Sequence, residues 1–356
     1  MTSPIKIVEK FEASQRALVL QTSDLSLQTI SQMVESEAID VSPKYQRRER
    51  WKPLAQAELI ESFLINVPIP PVYLAEDDFG TYSVIDGKQR ITTIHRFISD
   101  QFALSDLKKF PEVNGLKFSE LPPPLSNALR IRPYLRVVTL LKQTDPELKY
   151  EVFTRLNTGG EPLLPQEIRN ALYRGSFNDL LFDLADAPFL LQQLKIVSRK
   201  ETPYREMQDV EAALRFLSLS SNWEAFNGDM RYSLDAFAAE NRRISKVKVA
   251  AAKKKFETAL ARCEHLWGAN AFKRHQAAAY RDQFMSAMFD AQMIAAFELS
   301  ETRYKALANK TAAVRKETLK LFKDDRFVDA IRVSTNTPSK VRYRISTMKN
   351  SLKNIA

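Results

Sequence analysis

The chain has 356 residues, of which 44% are hydrophobic and 27% charged, a composition that indicates two or three globular domains and excludes a disordered or fibrous protein. No stretch approaches the ~18 consecutive apolar residues of a spanning helix, residues 1–10 lack a secretory pattern, and the single cysteine, Cys263, excludes an internal disulfide, so we expect a cytoplasmic protein without a membrane partner. The net charge of the whole chain is +10, and its positive charge is concentrated in the last third. Residues 241–356 hold 25 Lys and Arg against 10 Asp and Glu.

The first half of the chain contains both predicted helices and predicted strands. The predicted elements are, in order, helices over residues 25–38 and 53–67, strands over 72–75 and 82–85, a helix over 91–98, a strand over 134–141, and helices over 147–156 and 165–172. The strands are rich in β-branched residues, and the helices carry apolar residues at a spacing of three or four. Residues 101–124 are expected to be irregular, with three consecutive prolines as a stop.

The second half is rich in Ala, Leu, Phe and Lys and has almost no strand signal. Helical periodicity is clearest over residues 247–267 and 304–331. We therefore predict an α+β protein in which a mixed α/β domain, residues 1–175, precedes a basic and mostly α-helical domain, residues 176–356. The positive charge of the second domain predicts contact with a polyanion such as DNA, although solvated helix faces would have the same composition.

The segment Asp86-Gly87-Lys88-Gln89-Arg90 stands where a predicted strand turns into a helix. The amides of a helix start point outward and its dipole favours an anion, so this turn is a candidate phosphate site. Lys88 and Arg90 would add positive charge, and Asp86 could hold a metal ion or orient a water. The hydroxyls of Thr92 and Thr93 follow in the first turns of the helix. A plain turn capped by Asp86 is the alternative.

Two further polar clusters accompany this turn. Gln46 and Arg47 lie beside aromatic residues in the run YQRRERW, residues 45–51, which could stack on a base or hold a phosphate. Asn157 precedes two glycines in the run FTRLNTGG, residues 153–160, and could offer a carboxamide to a ligand. The alternatives are a basic surface loop for the first cluster and a helix C-cap for the second.

Taken together, these runs resemble the N-terminal domain family of GmrSD-type modification-dependent restriction systems, whose signature is DGQQR. The matching text is YQRRERW at 45–51, IESFLINVPIPPVYL at 60–74, YSVIDGKQRITTIHRF at 82–97 and FTRLNTGGEPLLPQEIRNAL at 153–172. The resemblance implies a ParB/sulfiredoxin-like fold with a nucleotide pocket that binds and hydrolyses NTP. Lys88 departs from the family pattern, because it stands where the signature has its first glutamine.

Asp86, Gln89 and Arg90, which carry over from the family signature, are the predicted catalytic residues. Asp86 is also the predicted ligand of Mg²⁺, or it would position a water. The nucleotide would contact these residues of the three clusters: Gln46, Arg47, Gly87, Lys88, Arg90, Thr92, Thr93 and Asn157. Family members pair this domain with an HNH-type nuclease, for which the three histidines of this chain leave little room. A separate nuclease or defence subunit is therefore a predicted partner.

The leading prediction is a nucleotide-binding, NTP-hydrolysing regulatory protein of a bacterial defence or DNA-transaction system, with Mg²⁺ as cofactor and NTP as ligand or substrate. The basic C-terminal region predicts DNA as a second partner. Three alternatives stay open at this point: a DNA-binding module without catalysis, a metal-dependent DNA nuclease that uses Asp86, and a structural subunit of a larger complex.

Overall fold

The computed structural model describes residues 6, 8–9, 11–12, 18–41, 51–144, 146–156, 164–276 and 279–355. The chain forms two compact units, Met1–Leu172 and Tyr173–Ala356. The division falls after Leu172, whereas the sequence places it after residue 175. Among the described residues, no helix has both the length and the apolar composition needed to cross a membrane.

The N-terminal unit contains a mixed five-stranded sheet. Its strands are β1 Leu20–Ser26, β2 Ile39–Asp40, β3 Val72–Asp78, β4 Thr81–Asp86 and β5 Tyr134–Leu140. Their order in the sheet is β1-β5-β3-β4-β2. β3 pairs antiparallel with β4 and parallel with β5, while β1 pairs antiparallel with β5 and β2 parallel with β4. The predicted α+β class is confirmed.

The helices of this unit are α1 Leu27–Glu35, α2 Pro53–Leu64, α3 Lys88–Ile98, α4 Pro123–Ile131, α5 Pro146–Leu156 and α6 Pro165–Leu172. Alternation along β3 and β4 buries Val72, Leu74 and Val84 in one core. Ile91 and Ile94 of α3 enter the same core, because residues three or four apart share a helix face. This packing fixes the position of the β4–α3 turn.

Two elements of the N-terminal unit differ from the sequence prediction. β1 is a polar edge strand, and its hydrogen-bonding partner β5 lies more than 100 residues away, so it leaves no local apolar pattern. The three prolines that we expected to stop the chain instead begin α4 at Pro123. Proline suits the first helical turn because that position needs no amide donor.

The C-terminal unit is a helical assembly. Its helices are α7 Ser176–Ala185, α8 Pro188–Gln193, α9 Thr202–Arg205, α10 Gln208–Asn222, α11 Met230–Asn241, α12 Lys246–Trp267, α13 Ser286–Phe297, α14 Glu301–Ala308, α15 Thr311–Leu321, α16 Asp325–Arg332 and α17 Pro338–Lys353. α13 is apolar nearly all round and is buried at its centre. The unit also contains an unpredicted hairpin, β6 Arg274–Gln276 and β7 Ala279–Arg281.

The helical periodicity over residues 304–331 is divided among three separate helices, α14, α15 and α16. Asp324 begins the third by accepting a hydrogen bond from the amide of Arg326 at 2.9 Å. Acidic N-caps of this kind stop one helix and start the next, which apolar periodicity alone does not show.

A buried charge network joins three helices of the C-terminal unit. Asp290 of α13 accepts hydrogen bonds from Arg215 of α10 at 2.6 and 2.8 Å and from Arg344 of α17 at 2.5 Å. Asp290 and Arg344 are fully buried. Burial alone would raise the pKa of Asp290, but the two guanidinium charges outweigh it and lower that pKa. Arg344 is therefore a core residue, although it lies in the basic C-terminal region.

Candidate functional site

The candidate site is the turn between β4 and α3. β4 ends at Asp86, Gly87 has φ 92° and ψ 14°, and α3 begins at Lys88. Gly87 has no side chain with which to cap the helix, so the start of α3 carries no side-chain cap. A helix start of this kind attracts anions through its dipole and its first-turn amides.

Gly87 cannot be replaced without strain. A Cβ atom there would lie 2.3 Å from Cγ1 of Val72 and 3.3 Å from Nε of Arg90. Its positive φ is also a conformation that residues with a side chain rarely adopt. The close approach of the turn to β3 is thus the physical reason for glycine at this position.

Arg90 is held by the protein itself. Its Nη1 donates to the carbonyl oxygens of Pro70 and Pro71 at 2.6 and 3.1 Å, and its Nη2 forms an ion pair with Oδ2 of Asp86 at 2.6 Å. The side chain is 12% exposed, against 35% for Asp86. Arg90 therefore fixes both the carboxylate and the segment that leads into β3, while Oδ1 of Asp86 takes no part in that ion pair.

Gln89 connects the turn to the end of the YQRRERW run. Its Oε1 accepts a hydrogen bond from the amide of Trp51 at 3.2 Å. Gln56 of α2 donates to the carbonyl of Trp51 at 2.7 Å and accepts from Arg96 of α3 at 2.8 Å. The structure thus brings the described end of the second cluster to the first. Gln46 and Arg47 lie outside the described residues.

The two threonines have different surroundings. Thr92 lies one helical turn after Lys88 on the same face of α3, and its Oγ1 is shielded from solvent without a hydrogen-bond partner. Thr93 is buried, with 2% of its surface exposed. An unpartnered buried hydroxyl is costly and often indicates a missing ligand or water. Thr92 is therefore the better placed of the two for a ligand beside Lys88.

The third cluster lies between two helices that contact β4. α5 ends at Leu156 and α6 begins at Pro165, and both pack beside β4. Asn157 lies outside the described residues. α6 buries a polar face on which Gln166 donates to Asn170 at 2.8 Å. Gln166 was not among the predicted site residues, although its spacing of four from Asn170 is the signal that could have indicated this pair.

Possible metal ligands are sparse near the turn. Within the described ranges, no group of three or more His, Cys, Asp or Glu side chains is arranged to hold a metal ion. Mg²⁺ is commonly held by one or two carboxylates together with substrate phosphates, so Asp86 alone suits a metal that arrives with a nucleotide.

The structure and the sequence together define the class of the N-terminal unit: an α+β domain whose DGKQR turn joins β4 to α3. Residues 30–174 match the family model described as GmrSD restriction endonuclease, N-terminal domain. This segment belongs to that family, and the predicted resemblance is confirmed. The match relates this segment, and not the rest of the chain, to the N-terminal domains of restriction endonucleases. The chain has no significant match among curated proteins or among solved structures.

Proposed function

We propose that the N-terminal unit binds a nucleoside triphosphate at the β4–α3 turn and that binding regulates a restriction response. The arrangement of Asp86, Gly87 and Arg90 carries this proposal. The turn is rigid before any ligand arrives, because Arg90 holds Asp86 and Gly87 packs on Val72. A preorganised helix start reduces the ordering cost of binding an anion.

The phosphates would lie at the start of α3. Lys88 would supply a positive charge, and the Oγ1 of Thr92, one turn further along the same face, would donate to a phosphate oxygen. Most of the donors of Arg90 already serve protein acceptors, so we assign it mainly a positioning role. Gln46, Arg47 and Asn157 remain the proposed contacts to base, ribose or phosphate. Thr93 would support α3 from the core.

Asp86 is the proposed centre of hydrolysis. Mg²⁺ held by its carboxylate would neutralise charge that develops on the phosphates. The ion pair with Arg90 would hold Asp86 in a fixed orientation, and Gln89 would position the reacting groups from the first turn of α3. This chemistry depends on positioning and electrostatics, since phosphoryl transfer demands little covalent work from the protein.

The proposed target of this regulation is a partner subunit that responds to nucleotide binding. GmrSD-type domains belong to restriction systems, and nucleotide occupancy of the N-terminal unit would control a separate nuclease or defence subunit. Three histidines in the whole chain make a self-contained HNH centre the weaker proposal.

The test of binding is titration of the full chain with each of the four NTPs in the presence of Mg²⁺, by calorimetry. We expect affinity for at least one NTP. Lys88→Gln should weaken it by roughly tenfold to a hundredfold, because a charge-assisted hydrogen bond contributes about 1.5–3 kcal/mol. Lys108→Gln, which removes an exposed lysine elsewhere in the same unit, is the control and should leave affinity unchanged. No affinity of the wild type for any NTP would refute the proposal.

Turnover is measured separately by phosphate release. Asp86→Asn keeps the shape of the side chain but removes its charge, so it should lose hydrolysis while nucleotide still binds. If wild-type protein cleaves plasmid DNA and Asp86→Asn does not, with no NTP required, the carboxylate serves a nuclease instead. If wild type binds NTP without releasing phosphate, the site is a sensor and hydrolysis is excluded.

A further inference from the structure

A pair of arginines lies at the base of the β6–β7 hairpin in the C-terminal unit. Arg274 and Arg281 are directly opposite in the antiparallel register, so their side chains leave the hairpin on the same face. Like charges in such a pair repel and destabilise the hairpin. A cross-strand pair of arginines is therefore typical of a site that binds an anion and does not stabilise the hairpin by itself.

No carboxylate within the described ranges compensates these charges. Arg274, Arg281 and Arg332 form no ion pair with any residue that the structure describes. Asp282 follows Arg281 in the chain, but Lys195 and Lys273 contact its carboxylate at 2.6 and 2.7 Å. Hydrogen bonds from these two lysines lower the pKa of Asp282 to about 2.

Arg274 is also short of hydrogen-bond partners. Its Nε is shielded from solvent and has no acceptor among the described residues. Burial, followed by the charges of Arg332 and Arg281, lowers the pKa of Arg274. Arg332 ends α16, whose Phe327 packs at 6.1 Å on Phe322, the ring that also contacts the hairpin. A shielded charged donor without an acceptor is unfavourable unless a ligand supplies one.

The other face of the hairpin anchors it. His275 and Tyr280 form the next cross-strand pair, with ring centroids 5.1 Å apart. Both rings pack on Phe322, at 6.4 and 6.2 Å. Aromatic packing on one face therefore fixes the hairpin, and this keeps the two arginines on its other face close together in spite of their repulsion.

A polar loop follows Arg332 in the chain. Ser334, Thr335, Asn336 and Thr337 line an open cavity of about 700 Å³ before α17 begins. Hydroxyl and amide side chains of this kind make neutral hydrogen bonds to phosphate oxygens in nucleic-acid complexes.

We propose that Arg274, Arg281 and Arg332 bind the phosphodiester backbone of duplex DNA, with the loop 334–337 beside them. Arg281 and Arg332 are exposed and stand on different elements, which suits successive phosphates of a long polyanion better than one small phosphate. The surface reads no sequence, because arginines on phosphates carry no base information. It belongs to the C-terminal unit and does not depend on nucleotide binding at Asp86–Arg90.

The test uses the full chain and a fluorescein-labelled DNA duplex, with anisotropy measured over a range of salt concentrations. The variant is the double substitution Arg281→Gln with Arg332→Gln. Its matched control is Lys248→Gln with Lys254→Gln, which removes the same charge from two exposed lysines of α12. We expect the arginine variant to lose about tenfold or more in affinity and to reduce the slope of log K against log salt by about 1.8, since each phosphate contact contributes ~0.9.

The control should retain its affinity and its salt slope. Equal losses in both variants, or no loss in the arginine variant, would overturn the proposal, because net charge alone would then explain binding. Loss of binding to single-stranded RNA or to anionic vesicles, with duplex DNA binding retained, would overturn it in favour of that ligand. Thermal unfolding excludes a folding artefact: removing unpaired like charges should leave Tm unchanged or raise it.

Discussion

Replacement of Gly87 by alanine tests the close approach of the β4–α3 turn to β3. The methyl group would lie 2.3 Å from Cγ1 and 2.9 Å from Cβ of Val72, which is fully buried. Neither partner can move freely, because Val72 is part of β3 and Gly87 is held between β4 and α3. The substitution should therefore destabilise the turn through both its backbone conformation and this contact.

The magnitude follows from these two contributions. A left-handed conformation costs a residue with a side chain about 1–2 kcal/mol, and forcing an extra carbon into a packed site costs about 1–3 kcal/mol. The free energy of opening of this region should thus fall by about 2–5 kcal/mol. In a Val72→Ala background Cγ1 is absent, so the cost of Gly87→Ala should shrink by about 1–2 kcal/mol, which is the coupling expected for residues in contact.

Hydrogen exchange measured by mass spectrometry on the full chain is the suitable assay, because it reports the opening of β4 and α3 separately from the C-terminal unit. Peptides from the C-terminal unit are the internal control and should exchange at the wild-type rate. Unchanged protection of α3 in Gly87→Ala would refute the reasoning. An equal cost in both backgrounds would show that strain at φ, and not contact with Val72, explains the glycine.

Three further outcomes are expected. Asp290→Asn should destabilise the C-terminal unit by about 3–5 kcal/mol in urea unfolding at neutral pH, since it leaves Arg215 and Arg344 buried without a carboxylate. The pKa of Asp290 is lowered in the folded protein, so the stabilisation by its ionised form is present above pH ~4 and is lost as pH falls through the folded pKa. The difference in free energy of unfolding between wild type and Asp290→Asn should therefore narrow in acid. The thiol of Cys263 is buried with its pKa raised by burial, so it should react with a thiol reagent only on unfolding, and rapid reaction of the native protein would contradict this packing.

The parts of the fold with strong local signals could be predicted from sequence. The alternating apolar pattern predicts the β3–β4 hairpin, and apolar residues at helical spacing predict α3. Because Gly87 stands between β4 and α3, the sequence also predicts the turn that joins them. β1 could not be predicted, because its polar residues become a strand only by pairing with β5. The β6–β7 hairpin is short and polar, and its packing on Phe322 is a tertiary contact that no local pattern records.

The candidate site shows the same division. Residues 86–90 are adjacent in sequence, so their place at a strand-to-helix turn could be predicted. The attachment of Arg90 to Pro70 and Pro71 could not, because side-chain direction depends on how β3 and α3 pack. The contact between Gln89 and Trp51 likewise joins residues 38 positions apart. Spacing indicated that the clusters belong together but did not show which atoms connect them.

The attachment of Arg90 has a consequence for mutagenesis of this domain. Pro70 and Pro71 have no amide hydrogen, so this stretch cannot take full part in sheet pairing. The guanidinium of Arg90 donates hydrogen bonds to their carbonyl oxygens instead. Arg90→Ala would remove the hydrogen bonds to the segment before β3 as well as the ion pair with Asp86. Lost activity in that variant would therefore report a loosened scaffold and would not by itself show that Arg90 recognises a ligand.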